Sequence, residues 1–293
     1  MYNIEATNLT KKYGKARGID DINLQVQEGE IFGFIGPNGA GKSTTIRLLL
    51  NLIFPTAGIA KIMGLDCVKN TKKIKQEIGY LPGEVNYYGD MRTIDFFRYS
   101  ANFYRKDCTK RTKELIDLFE VDQSKRIDSL SLGNKKKVGI IQALLHEPKV
   151  LILDEPSSGL DPLMQKIFYD VLEKENKKGT TIFFSSHVLN EVQKLCHKVA
   201  IIKEGRILRI EEIEKLRRSQ FKKICIEFSD EKHPKLEINN TTNIKAVGRT
   251  MEFLYNGKID EIIRSLADTD VDNLWIEEPS LEEVFMHYYE KEQ

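Results

Sequence analysis

The chain has 293 residues, 41% of them hydrophobic and 30% charged, with 45 basic against 44 acidic side chains for a net charge of +1. That length and apolar content suit one large domain plus a small one, and the near-neutral balance supplies no global field for nucleic acid, so no nucleic-acid partner is expected. No stretch approaches the roughly 18 consecutive apolar residues of a membrane span, MYNIEATNLTKKYG has no signal-peptide pattern, and Cys67, Cys108, Cys196 and Cys225 are too scattered for a C-x-x-C metal or redox pair and read as reduced thiols.

YNIEATNLTKKYG and GIDDINLQVQEGE read as two strands joined by a turn at Gly14 to Gly18, a small antiparallel sheet. EIFGFIG, ending at Gly36, is a short apolar run suited to a buried parallel strand, and TTIRLLLNL suits a helix that stops at Pro55. Between them lies GPNGAGKST: Gly36, Pro37, Asn38, Gly39, Ala40, Gly41, Lys42, Ser43 and Thr44. In a strand–loop–helix context this G-x-x-x-x-G-K-S string is a phosphate-binding loop, because the glycines let backbone N–H groups converge on phosphate oxygens. Lys42 is then placed to hold the β- and γ-phosphates, and Ser43 to put its hydroxyl on Mg²⁺.

From about Glu84 to His146 the pattern turns helical, with IDFFRYSANFYRK and KRTKELIDLFEV carrying apolar residues at three- and four-residue spacing. Tyr87, Tyr88, Phe96, Phe97, Tyr99, Phe103 and Tyr104 make the stretch strongly aromatic; most read as core, and those in the loop Val85 to Met91 as a groove for a partner's helix. LSLGN follows, Leu130 to Asn134, opening the helix-like NKKKVGIIQALLH. Gly133 permits close backbone approach and the helix dipole favours an anion, while Ser131 is either a ligand hydroxyl or an ordinary N-cap. The run Lys135 to Lys137 reads as a solvated or dimer-facing side of that helix.

VLILDEP is a second buried strand, and it ends in two adjacent carboxylates, costly unless something cationic or reactive lies opposite. Asp154 is expected to reach Mg²⁺ through a water, and Glu155 to orient and deprotonate an attacking water. SSGLD ends at Asp161; TTIFFSS, another apolar strand, precedes His187, with Ser185, Ser186 and Glu191 supplying the capping pattern of the next helix. VAIIKEGRILRI carries a hairpin turn at Glu204-Gly205, and the charged segment EEIEKLRRSQFKK marks a boundary. Beyond it KICIEF, MEFLYNG and LWIEE read as strands, and IDEIIRSLA and SLEEVFMHYY as helices.

The order of phosphate loop, LSLGN, LILDEP, SSGLD and histidine resembles the ATP-binding subunits of ABC transporters over about the first 215 residues. The resemblance implies an α/β phosphate-loop NTPase: an ATP-binding domain over residues 1–215 with an N-terminal antiparallel β subdomain and a helical subdomain at about 84–146, then a small α/β domain over 216–293. It implies ATP with Mg²⁺ held by Ser43 and Asp154, hydrolysis assisted by Glu155 and His187, and adenine stacked on Tyr13; a face-on stack reads no base edge, and ATP is expected over GTP because no N-K-x-D string of the guanine-reading kind follows. In that family the LSLGN position caps the γ-phosphate held by a partner subunit, so Ser131, Gly133 and Asp161 are assigned to contacts in trans within a homodimer. A multi-span permease would be a separate chain, placing this one peripherally at the cytoplasmic face of the membrane. The SLEEVF tail resembles subunits serving exporters of drugs, antibiotics and peptide toxins, and a tail of this size equally suits dimer stabilisation.

Two motifs depart from the family pattern. Leu132 and Asn134 stand where LSGGQ has glycine and glutamine. After IGYLP, Gly83 and Glu84 occupy the place of a glutamine that contacts Mg²⁺ and the attacking water, so either Glu84 substitutes or the contact is missing. The alternatives fit less well: a DNA-repair ATPase needs a long coiled-coil insertion, and a translation-type factor carries two heads.

Overall fold

Alternating apolar residues pair the first two segments as β1 (Tyr2–Tyr13) and β2 (Ala16–Gln27) in the computed structural model, antiparallel with Ala6 opposite Leu24 and Leu9 opposite Ile22. One face of this ribbon buries Ile4, Leu9, Ile22 and Val26. Next come β3 (Ile31–Ile35), α1 (Lys42–Leu49), β4 (Ala57–Ile62), β5 (Leu65–Asp66), α2 (Thr71–Glu77) and β6 (Ile78–Leu81). A helical stretch follows, with α3 (Thr93–Ala101), α4 (Thr109–Phe119) and α5 (Leu132–Leu144). The chain returns through β7 (Val150–Asp154), α6 (Pro162–Lys177), β8 (Thr181–Ser186), α7 (Leu189–Leu195), β9 (Lys198–Lys203) and β10 (Arg206–Glu212). The residues described are 1–14, 16–85, 87–217, 221–230, 239–267, 269–277 and 279.

Two sheets result in the first compact unit, Met1–Glu212: an antiparallel one in the order β2-β1-β4-β5 and a six-stranded one in the order β10-β9-β3-β8-β7-β6. The larger sheet is parallel from β9 through β6, and only β10 runs antiparallel, joined to β9 by the two-residue turn Glu204-Gly205. Both turn residues have positive φ, 51° and 83°, the combination that matches strand twist in a tight hairpin. β3, β7 and β8 are buried at every position, the mark of parallel strands covered on both faces. Ile4, Leu24 and Val26 of the ribbon share one core with Phe32, Phe34, Ile46, Ile152 and Phe183, so this core lies against the strands that lead into the phosphate loop, the Asp154-Glu155 pair and His187.

The helix after the phosphate loop ends at Leu49, ahead of the expected stop at Pro55. The cause is Asn51, whose φ of 50° turns the chain out of the helix and whose amide donates to Thr71 Oγ1 at 2.7 Å. Lys136 is a second difference. The Lys135 to Lys137 run was expected on a solvated or dimer-facing side, yet Lys136 is 2% exposed, because it falls on the same face of α5 as the buried Gly139 and Ile140.

The second unit, Ile213–Gln293, contains α8 (Ile213–Arg217), β11 (Lys222–Phe228), β12 (Thr241–Val247), β13 (Thr250–Tyr255), α9 (Ile259–Leu266) and β14 (Val271–Glu277), with the sheet order β12-β13-β11-β14. Ile224, Ile226, Phe253 and Tyr255 form its core with Ile262 of α9. The strand β12 had no sequence expectation: it is an exposed edge strand without clean alternation, interrupted by Asn243 at φ 56°. The SLEEVFMHYY segment lies outside the described residues.

Just beyond α5, the His146 ring stacks on Tyr104 with centroids 3.6 Å apart and hydrogen-bonds the Ile78 carbonyl through Nε2 at 3.0 Å. Since a carbonyl only accepts, Nε2 carries the proton. Burial pushes the imidazole down to about 4, with the Lys106 cation adding to the effect. A base whose folded pKa is depressed contributes stability above its unfolded value near 6.5 and loses it as pH falls toward 4. Urea unfolding at pH 7 and pH 5 is therefore expected to show a loss on the order of 2 kcal/mol in the wild-type protein and a clearly smaller one in His146→Gln; parallel losses would remove His146 as the source.

Candidate functional site

Parallel pairing places Ile35 of β3 opposite Ser186 of β8, and Asp154 of β7 opposite Ser185, so the C-terminal ends of three strands open at one edge. Ligand sites of open α/β sheets lie at such ends. The phosphate loop leaves β3 with Gly36 and Ala40 buried and Pro37, Asn38 and Gly39 exposed. Gly41 has φ 112°, a conformation that side chains rarely adopt, and it starts α1 with no side-chain cap on the helix N–H groups. The loop is tied to the β9–β10 hairpin by a hydrogen bond from the Gly205 N–H to the Ala40 carbonyl at 2.9 Å.

Lys42 is 5% exposed. Its Nζ donates to the carbonyls of Gly36 at 2.7 Å and Pro37 at 3.2 Å, and lies 3.3 Å from Glu155 Oε1. Glu155 spans the site, since its other oxygen is 3.3 Å from His187 Nδ1. A φ of 45° at Glu155 turns the chain sharply off β7 and aims this carboxylate across the opening, while its N–H is held by the Ser185 carbonyl at 3.1 Å. Non-glycine residues at such a φ are uncommon and cluster at functional positions. Asp154, 6% exposed, accepts a 2.6 Å hydrogen bond from Ser185 Oγ on Oδ1. The half-buried Tyr80 hydroxyl is pushed up to about 12, chiefly by burial and then by the Asp154 charge.

Gly36, Lys42, Asp154, Glu155, Ser185 and His187 thus form one bonded cluster. Ser43 and Thr44 follow Lys42 in the first turn of α1 and are partly exposed. Tyr13 ends β1, 40% exposed, with Lys11 Nζ 5.4 Å from its ring centroid.

Ser131, Gly133 and Asp161 form a second group. Ser131 caps α5, its Oγ accepting from the Asn134 N–H at 3.4 Å, and Asp161 caps α6, its Oδ1 accepting from the Met164 N–H at 3.0 Å. Gly133 packs on the SSGLD loop so closely that a Cβ would lie 2.8 Å from the Gly159 carbonyl oxygen. Among the described residues, no hydrogen bond or ion pair joins Ser131, Gly133 or Asp161 to the cluster around Lys42. Leu132 projects outward, 68% exposed.

Two residues of the site escape sequence reasoning. Ser185, Ser186 and Glu191 were assigned to the cap of α7, but that helix has no side-chain cap hydrogen bond; Ser186 instead holds the turn ahead of it, accepting from the Val188 N–H at 2.9 Å and donating to Glu191 at 2.7 Å. Successive strand residues face opposite ways, so Ser185 points at Asp154 instead. Lys136 is the other, donating to the carbonyls of Pro82 and Gly83 at 3.3 and 3.1 Å. Glu84, one of the two readings of the altered glutamine position, is exposed.

Residues 19–158 match the family model described as ABC transporter. Over 235 residues the chain is 37% identical to the bacitracin transport ATP-binding protein BcrA of Bacillus licheniformis, covering 78% of this chain and 76% of that protein. Its fold superimposes on a solved ATP-binding subunit of an ABC transporter with a TM-score of 0.70 at 29% identity, over 73% of this chain and 92% of that one. It also matches the dimeric bacterial ABC transporter cassette MJ0796, with a TM-score of 0.66 at 25% identity over 72% of this chain and 98% of that one. The site geometry and these relationships agree: the chain belongs to the ATP-binding proteins of ABC transporters and is an ATPase.

Proposed function

We propose that two copies of this chain close head to tail around two ATP molecules and that the closure drives export of a drug, antibiotic or peptide through a separate membrane subunit. The observation that carries the catalytic part is Glu155, suspended between Lys42 and His187 at 3.3 Å from each, beside the anchored Asp154. Lys42, with the N–H groups of the loop from Gly36 to Thr44, holds the β- and γ-phosphates. Glu155 accepts a proton from the attacking water, and His187 fixes the orientation of Glu155 and the γ-phosphate. Tyr13 stacks on adenine.

The donor set suits Mg²⁺. Ser43 and Asp154 offer hard oxygens, and Ser185 fixes Asp154 through Oδ1 so that Oδ2 remains for a metal-bound water. The ion would neutralise charge on the β- and γ-phosphates.

The separation of Ser131, Gly133 and Asp161 from the Lys42 cluster supports their use in trans, on the nucleotide held by the second copy. The Ser131 cap keeps this option open, because its Oγ accepts within its own chain and retains its proton to donate. For the membrane subunit, the best support is a groove of about 660 Å³ between the nucleotide-binding unit's α1 end and the helical stretch, lined by Leu50, Leu52, Tyr87, Tyr88, Phe96 and Tyr104. Leu52 and Tyr88 are more than half exposed there, at 52% and 58%. Its aromatic walls fit an amphipathic helix of a multi-span permease, which would hold this chain at the cytoplasmic face of the membrane. The bacitracin relative supports an exporter, and the cargo class rests on that likeness.

Glu155→Gln is expected to lower kcat by roughly a hundredfold or more while ATP still binds and a dimer accumulates; measured by phosphate release and light scattering, wild-type turnover in this variant would remove Glu155 from the chemistry. Composite sites make a second prediction. An equimolar mixture of Ser131→Arg and Lys42→Ala subunits should recover turnover that neither variant shows alone, through the one intact site of the mixed dimer. A mixture as inactive as its components would mean that each copy works by itself.

A further inference from the structure

Among the described residues two lysines are buried, Lys42 and Lys136, and the nucleotide site as argued so far uses only the first. A buried ammonium is unfavourable unless hydrogen-bonded and opposed by negative charge, and Lys136 has both. Two of its three N–H donors go to the carbonyls of Pro82 and Gly83, where the chain leaves β6. The charges that act on it are Asp154 and Glu155, which counter the effect of burial; burial still prevails and brings its pKa down to about 8.

Gly83 explains why a cation is useful there. A Cβ built on Gly83 would sit 3.7 Å from Asp154 Oδ2 and 3.6 Å from the Asp154 carbonyl oxygen, in ordinary van der Waals contact. Position 83 therefore adjoins the free oxygen of the carboxylate and has room for a side chain, but glycine brings none. Lys136 brings a charged donor to the same corner from α5, held by the carbonyl of Gly83 itself.

We propose that Lys136 is a positioning residue for ATP hydrolysis: clamped on Pro82 and Gly83, its ammonium supplies beside Asp154 and Glu155 the polar group that position 83 lacks. The inference rests on the reading that Asp154 and Glu155 serve the nucleotide. It also ties the helix that begins with Leu132 and Gly133 to the edge where those carboxylates stand, so displacement of α5 is felt at the chemistry.

The test uses the full chain and five variants: Lys136→Met, Lys136→Gln, Gly83→Gln, Gly83→Gln combined with Lys136→Met, and Glu155→Gln. In Lys136→Met, kcat is expected to fall roughly tenfold or more, the cost of misplaced catalytic groups, while equilibrium binding of a fluorescent ATP analogue changes by less than about threefold and Tm does not fall. Gly83→Gln in that background should restore part of the lost kcat. Lys136→Gln, shorter and uncharged, should show the same split if the methionine variant does not fold. Wild-type kcat in Lys136→Met, a joint loss of binding, Tm and kcat, or no recovery in the double variant would each overturn the proposal. Glu155→Gln separates the two failures: turnover surviving there removes the site reading and this inference with it, whereas turnover lost there but kept in Lys136→Met removes this inference alone.

Discussion

Parallel pairing of β3, β7 and β8 is the constraint from which the site follows. Three strands running the same way, each buried along its length, must end at the same edge, and each ends in a different piece of chemistry: the phosphate loop, the Asp154-Glu155 pair, and Ser185 with His187. Without side-by-side registration the 3.3 Å contacts of Glu155 with Lys42 and His187 could not form from residues more than 30 positions apart in sequence. The apolar strands, the most hydrophobic stretches of the chain, are thus also its most functional scaffold. Two like carboxylates side by side are tolerated at this edge because cations and donors from neighbouring elements converge on them, Lys42 and Ser185 directly.

A second constraint keeps the LSLGN and SSGLD segments together. Gly133 approaches the Gly159 carbonyl closely enough to exclude any side chain, and Ser131 and Asp161 cap the two helices that flank this contact. SSGLD in turn follows Glu155 and Pro156 without interruption. A short loop therefore links Glu155, the carboxylate proposed to assist hydrolysis, to the segment proposed to reach the neighbouring site. This arrangement gives a structural route for one nucleotide to influence the other, and it depends on packing already present in a single chain.

Much of this was legible from residues alone, for identifiable reasons. Continuous apolar runs fixed β3, β7 and β8, and the glycine spacing marked the phosphate loop, because burial on both faces and positive φ leave strong compositional traces. The Glu204-Gly205 hairpin was equally plain. Where tertiary contacts decide, the pattern misled. Lys136 is buried and Leu132 exposed in the same helix, reversing the usual assignment, since what matters is the carbonyl pair at Pro82 and Gly83 across from α5. Ser185 and Ser186 are identical neighbours with different tasks, and only the strand's pleat separates them. The edge strand β12 buries too little to leave a trace, and Asn51 ends α1 through a backbone turn that an asparagine permits without announcing.

An ATP molecule gripped by two copies of the chain is the centre of the proposed mechanism. A crystal structure of the Glu155→Gln protein grown with ATP and Mg²⁺ tests that most directly. It is expected to show the γ-phosphate held by Lys42 of one copy within hydrogen-bond distance of Ser131 Oγ and the Gly133 N–H of the other. Nucleotide bound at the phosphate loop with Leu130 to Asn134 of every neighbouring copy remote from it would contradict the account.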